Sequence, residues 1–71
     1  MRTYGKLREK IRAEFKTLDY FAEAMGMHRS TLSNKLNGLA AWKQSEIEKA
    51  CLLLNIPMEE VSEYFFLLIK T

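Results

Sequence analysis

A single glycine, Gly26, does most to limit how this chain can fold, because of what stands on either side of it. Residues 18–25, LDYFAEAM, are helix formers that place Phe21 and Met25 four apart on one face. The small Ala22 stands between them, where a second helix can cross closely. Residues 29–37, RSTLSNKLN, repeat the pattern with Leu32 and Leu36. Gly26 reaches positive φ without a Cβ clash, so it can stop the first segment and redirect the chain into the second. At roughly 100° per residue, Arg29, Ser30, Ser33, Asn34 and Asn37 share an arc of about 140° that excludes both leucines. A face with one Arg, two Ser, two Asn and no carboxylate suits hydrogen bonds to base edges and phosphates. That is the pattern of a helix-turn-helix whose second helix reads DNA.

The flanking segments are read in the same way. Over residues 4–15, Leu7, Ile11 and Phe15 form one apolar stripe, with Lys6, Arg8, Lys10 and Arg12 on a solvated side that can also lie against phosphates. Thr17 is placed to cap the second helix, and Asp19 complements its dipole. Asn37-Gly38 closes the third helix. Trp42 packs on the core edge, or else its indole N–H or the neighbouring Lys43 touches phosphate. A fourth helix over 44–54 follows from the spacing of Ile47, Ala50, Cys51 and Leu54, with Ser45 and Glu48 as a capping box if it starts there. Pro57 ends the region before it and opens a fifth helix whose inward face is Met58, Val61 and Phe65. Residues 64–69, YFFLLI, read equally as an extension of that helix or a short strand. The expectation is one all-α domain across residues 1–71.

Composition narrows the function classes. A chain of 71 residues buries only about 60% of its unfolded surface, so support from a partner subunit is expected. Residues 1–43 carry nine Lys/Arg against four acids, a net of +5, whereas residues 44–71 carry two against five, a net of −3. A polyanion would meet the first half, although the same basic residues also read as a plain solvated face. The single cysteine, Cys51, permits no internal disulfide and fits an inert buried thiol in a reducing cytoplasm. No apolar run approaches the ~20 residues of a membrane span, and the N-terminus lacks an apolar signal core. His28 is the only histidine, the three glycines are isolated, and the carboxylates fall on helix surfaces. No enzyme, metal site or cofactor is expected from these residues.

At Phe21-Ala22, Gly26-Met27, Thr31-Leu32-Ser33 and Leu36-Asn37-Gly38 the chain resembles the lambda-repressor-like (XRE) helix-turn-helix family. Within it the chain looks most like small Cro-type phage regulators, including short proteins with a Tyr-Phe-Phe such as Tyr64-Phe65-Phe66. The resemblance spans roughly residues 4 to 66 and implies a compact bundle of five short helices. It implies base contacts from Arg29, Ser30, Ser33 and Asn34; Arg29 can pair with guanine and Asn34 with adenine. Phosphate contacts fall to Thr17, His28, Thr31, Lys35, Asn37 and Lys43. Two positions depart from the family pattern. Leu18-Asp19 stand where a Gln often anchors phosphate, and His28 stands where Ser or Thr usually ends the turn. His28 then caps poorly, contacts phosphate when protonated, or is a plain surface residue.

These readings converge on a DNA-binding regulator of phage or prophage type without a cofactor, bound as a homodimer to a palindromic operator. Half-sites would lie about 34 Å apart. Phe65, Phe66, Leu67, Leu68 and Ile69 are the expected dimer surface, since nothing else in the chain obviously covers them. The alternative is a protein-interaction module, a phage modulator or antirepressor that uses this fold to bind another regulator. The acidic second half and the apolar tail motivate it.

Overall fold

The structure is a computed structural model and is described here for residues 4–65. Five α-helices follow one another: α1 (Gly5–Phe15), α2 (Leu18–Met25), α3 (Arg29–Leu36), α4 (Gln44–Leu54) and α5 (Val61–Phe65), the last entered through a 3₁₀ turn, Met58–Glu60. No strand occurs among the described residues. The all-α expectation therefore holds, and α2 and α4 have the bounds that residue spacing suggests.

Each break has a local cause. Between α1 and α2, Lys16 takes φ 68° and ψ −47°, and the Thr17 N–H donates to the Phe15 carbonyl at 2.7 Å. This three-residue γ-turn reverses the chain with no residue to spare. Thr17 then caps α2, its Oγ1 accepting from the Tyr20 N–H at 3.3 Å. Gly26 lies at φ 76°; its N–H donates to Glu23 and that of Met27 to Ala22, both at 3.0 Å. This pair of bonds is the Schellman closure, which needs a left-handed residue where glycine stands. Gly38 repeats it after α3, with Leu39 N–H donating to Asn34 at 2.8 Å.

The core draws on all five helices, with Tyr64 and Phe65 from α5 and its fully buried centre from the other four. Leu7 and Ile11 of α1, Phe21 of α2, Leu32 and Leu36 of α3 and Leu54 of α4 are fully buried, each contributing about 1.5–3 kcal/mol. Around them Phe15 meets Phe21 edge-on at 5.2 Å. Trp42 bridges Tyr4 at 6.4 Å and Phe65 at 5.1 Å. Trp42 is thus a core-edge residue, and its buried indole N–H finds no acceptor among the described residues, which removes it as a phosphate contact.

Three expectations are corrected here. Helix α4 begins at Gln44, as its spacing suggests, with Lys43 as N-cap, so the box that required a start at Ser45 does not form. Its first turn is closed by the Glu46 carboxylate, which accepts from the Lys43 N–H at 2.9 Å, and not by a Ser45–Glu48 box. Met58, assigned to the inward face, is 78% exposed. Phe65, assigned to a dimer surface, is only 3% exposed and packs on Trp42. Phe66, Leu67, Leu68 and Ile69 of that expected dimer surface lie outside the described residues.

Candidate functional site

The turn at Gly26 presents α3 to solvent along one side. Arg29, Ser30, Thr31, Asn34 and Asn37 are exposed and Ser33 is half-buried. The periodicity places Arg29, Ser30, Ser33, Asn34 and Asn37 in one arc, and none of the five is buried. His28, the N-cap, is exposed and makes no side-chain cap hydrogen bond, so the first-turn amides of α3 have no side-chain acceptor there.

The charges at this face are largely committed elsewhere. The Arg29 guanidinium lies 3.7 Å from the Asp19 carboxylate at the start of α2. The pair is exposed and worth little in stability, but it sets a carboxylate against the one cation at the start of α3. Arg8 of α1 donates to the Asn37 side-chain oxygen at 2.6 Å and to the Leu36 carbonyl at 3.2 Å. Asn37 thereby spends its acceptor on tying α3 to α1. Thr17, exposed at the α2 cap, spends a lone pair on Tyr20.

Lys35 departs furthest from expectation. It is only 6% exposed, and its ammonium donates to the Ala41 carbonyl at 2.9 Å and pairs with Glu46 at 3.0 Å. The phosphate contact assigned to Lys35 is therefore corrected. Its charge staples the α3–α4 connection to the first turn of α4, a position where a buried ammonium has both of the partners it needs. Burial of Glu46 pushes its carboxyl up, but the Lys43 N–H and then Lys35 outweigh that and hold it below the ordinary value of 4.5. Lys43 itself is exposed.

A second surface was not anticipated from sequence. Between α4 and the 3₁₀ turn runs an apolar groove lined by Trp42, Ile47, Cys51, Leu52, Ile56, Met58 and Val61, with Gln44 and Glu48 at one side. Leu52 falls off the Ile47–Cys51–Leu54 stripe, and that displacement is the one hint the sequence offers. Burial pushes the Cys51 thiol up from its ordinary value, as fits an inert thiol. The groove's far wall is pinned to α1 by the Lys6–Glu63 ion pair, with the Lys6 ammonium 4.9 Å from the centre of the Tyr64 ring. The hydrogen bond that Lys6 donates to the Glu63 carboxylate raises the Lys6 pKa.

This arrangement of helices is that of a small all-helical phage regulator. It resembles the solution structure of the modulator of repression of the temperate bacteriophage TP901-1 from Lactococcus lactis, with a TM-score of 0.82 and 38% identity over 93% of this chain and 89% of that one. The chain belongs to the family described as protein of unknown function DUF739, whose model matches residues 2–67. No curated protein matches it. No helix among the described residues is long and apolar enough to cross a membrane.

Proposed function

We propose that this chain is a phage or prophage regulator that acts in the cytoplasm by binding another regulatory protein, without catalysis and without a cofactor. The observation that carries this reading is the fate of the cations at the α3 face. Lys35 is inside the fold and Arg29 faces a carboxylate, whereas DNA affinity depends on cations free to neutralise phosphates. The likeness to a modulator of repression supports the same reading. A chain this small modulates repression by touching either the operator or the protein that holds it.

A second reading keeps one specific support. Arg29, Ser30 and Asn34 remain exposed on a single helical side, and with Ser33 they could read bases as a homodimer on a palindromic operator. One experiment separates the two. The purified chain is titrated into each regulator encoded beside it and, in parallel, into a random duplex library at two salt concentrations. A saturable protein complex with no enriched motif is expected. A palindromic motif enriched at both salts, without a protein complex, would reverse the assignment.

A further inference from the structure

The groove beside α4 has a volume of about 710 Å³, within the ~300–1,000 Å³ of ligand-binding clefts. Its lips, Leu52 and Met58, are 80% and 78% exposed. Its rim is acidic. Glu48 lines the groove, and Glu59 and Glu60 follow Met58 in the same 3₁₀ turn. None of the three makes an ion pair with a described residue, although Glu48 accepts a hydrogen bond from Gln44 at 3.3 Å and Glu60 acts electrostatically on Lys6; Glu46 and Glu63 are matched by Lys35 and Lys6. Lys49, the one cation on α4, has its ammonium 3.5 Å from the Met25 carbonyl, at the end of α2.

We infer that this groove docks one amphipathic helix of a protein partner, its apolar side against Trp42, Leu52 and Met58 and its Lys/Arg flanks against Glu48, Glu59 and Glu60. The inference rests on the protein-partner reading above and names the surface and chemistry that reading requires. Helix-in-groove docking matches an open apolar trough with a charged margin, and a methionine lip adapts to the incoming side chains. Charge complementarity selects a basic flank over an acidic one. A second copy of this chain is a poor occupant. Its one basic amphipathic helix, α1, already spends Leu7 and Ile11 in its own core.

Trp42 is the chain's only tryptophan and lines the groove, so its emission reports docking directly. The full chain is titrated with a Leu/Lys peptide of about five helical turns and with a Leu/Glu peptide of the same apolar pattern, neither containing an aromatic residue. Saturable Leu/Lys binding is expected, with a Trp42 emission shift and amide NMR perturbations confined to Trp42, α4 and residues 56–61. The Leu/Glu peptide, and the Leu52→Lys/Met58→Lys variant with the Leu/Lys peptide, should each bind about tenfold or more weakly, a difference of about 1.4 kcal/mol or more.

Equal affinity for both peptides, perturbations centred on α3, or an unaffected double variant would overturn the assignment. So would a concentration-dependent mass that the variant abolishes, which would give the groove to a second copy. Binding gained only when Leu67 and Leu68 are replaced by Ser would give it to the chain's own last residues. Failure of the underlying reading is seen separately, as the absence of any complex with a neighbouring regulator. A regulator complex insensitive to Leu52→Lys/Met58→Lys would remove the groove and leave that reading standing.

Discussion

The α3 face and the α4 groove are both surfaces that this chain leaves in water, and they differ in what that exposure costs. Ser30, Thr31 and Asn34 are solvated at little free-energy cost, so their exposure alone says little about a partner. Leu52 and Met58 are a different case. Each forgoes about 1.5–3 kcal/mol of burial, and they do so side by side over a groove. Charge separates the two surfaces as well. At α3 the cations are turned inward or matched by Asp19, whereas Glu48, Glu59 and Glu60 beside the groove make no ion pair with a described residue. The polar face that looked most like a reader from its residue types is electrostatically subdued. The acidic half carries the surface with unmet chemistry.

The largest effect that could break this comparison sits at Lys35. If the ammonium is the internal staple, Lys35→Ala strands Glu46 and the Ala41 carbonyl and costs about 3 kcal/mol. Urea unfolding then shows a lower midpoint with an unchanged slope. Replacing both partners, as Lys35→Met with Glu46→Leu, recovers most of the loss, since an apolar pair carries no unmatched charge. If Lys35 served phosphate, the single variant would leave the midpoint where it is. Such a result would restore positive charge to the α3 face and remove the contrast with the groove.

Lys35 also shows where sequence reasoning stops. Helices α2 and α4 are legible because caps and apolar spacing are local properties: Thr17 and Gly26 bound one, and the spacing of Ile47, Ala50, Cys51 and Leu54 marks the other, although its N-cap is Lys43 and not a Ser45–Glu48 box. The burial of Lys35 depends on Glu46 in the next helix and on a carbonyl in the connection, and neither is encoded in the period of α3. The Arg29–Asp19 pair is hidden for the same reason, as it exists only once α2 and α3 cross. Met58 fails differently. A 3₁₀ turn advances about 120° per residue against about 100° in an α-helix, so three such residues rotate the inward face by about 60°. Met58 leaves that face, while Phe65 stays on it and becomes core.

Gly26 gives the next largest effect, and it tests whether the α2–α3 angle is set by backbone or by packing. A Cβ at Gly26 would meet no heavy atom closer than the Lys49 Nζ at 3.9 Å, so Gly26→Ala carries no clash. Its cost is the left-handed φ of 76° alone, about 1–2 kcal/mol. Gly5→Ala, at the first position of α1 where nothing lies within 4 Å, should instead gain about 0.4–1 kcal/mol by restricting the unfolded chain. Thermal melts of the two variants should move in opposite directions. Equal losses would mean that side-chain packing fixes the turn.

The pH dependence is shallower and has a definite sign. Because the folded Glu46 carboxyl lies below its ordinary value of 4.5, the unfolded chain binds more protons across the interval between the two. Stability from Glu46 is therefore fully present above about 4.5 and is lost as pH falls through the lower, folded value. Glu46→Gln should flatten that acid limb of a denaturation series. An acid limb identical in the variant would place the titration on another carboxylate.

The smallest stability effect is the sharpest test of the comparison. Leu52 is 80% exposed, so Leu52→Lys should change unfolding free energy by no more than about 0.5 kcal/mol, the ordinary range for a surface site. A loss above about 1 kcal/mol would show that Leu52 packs against something the free chain supplies, in the range of a buried side chain. The groove would then be a covered seam and not a vacant one. If the melt is unchanged while peptide docking and regulator binding both weaken, Leu52 is an apolar residue with no role in holding the fold. Arg29→Ala should leave the melt equally unchanged, since an exposed ion pair contributes about 0–1 kcal/mol. It should also leave the Trp42 emission shift on peptide addition the same as in the parent chain. Two variants silent in the melt, of which only Leu52→Lys weakens partner binding, would assign recognition to the acidic half of the molecule.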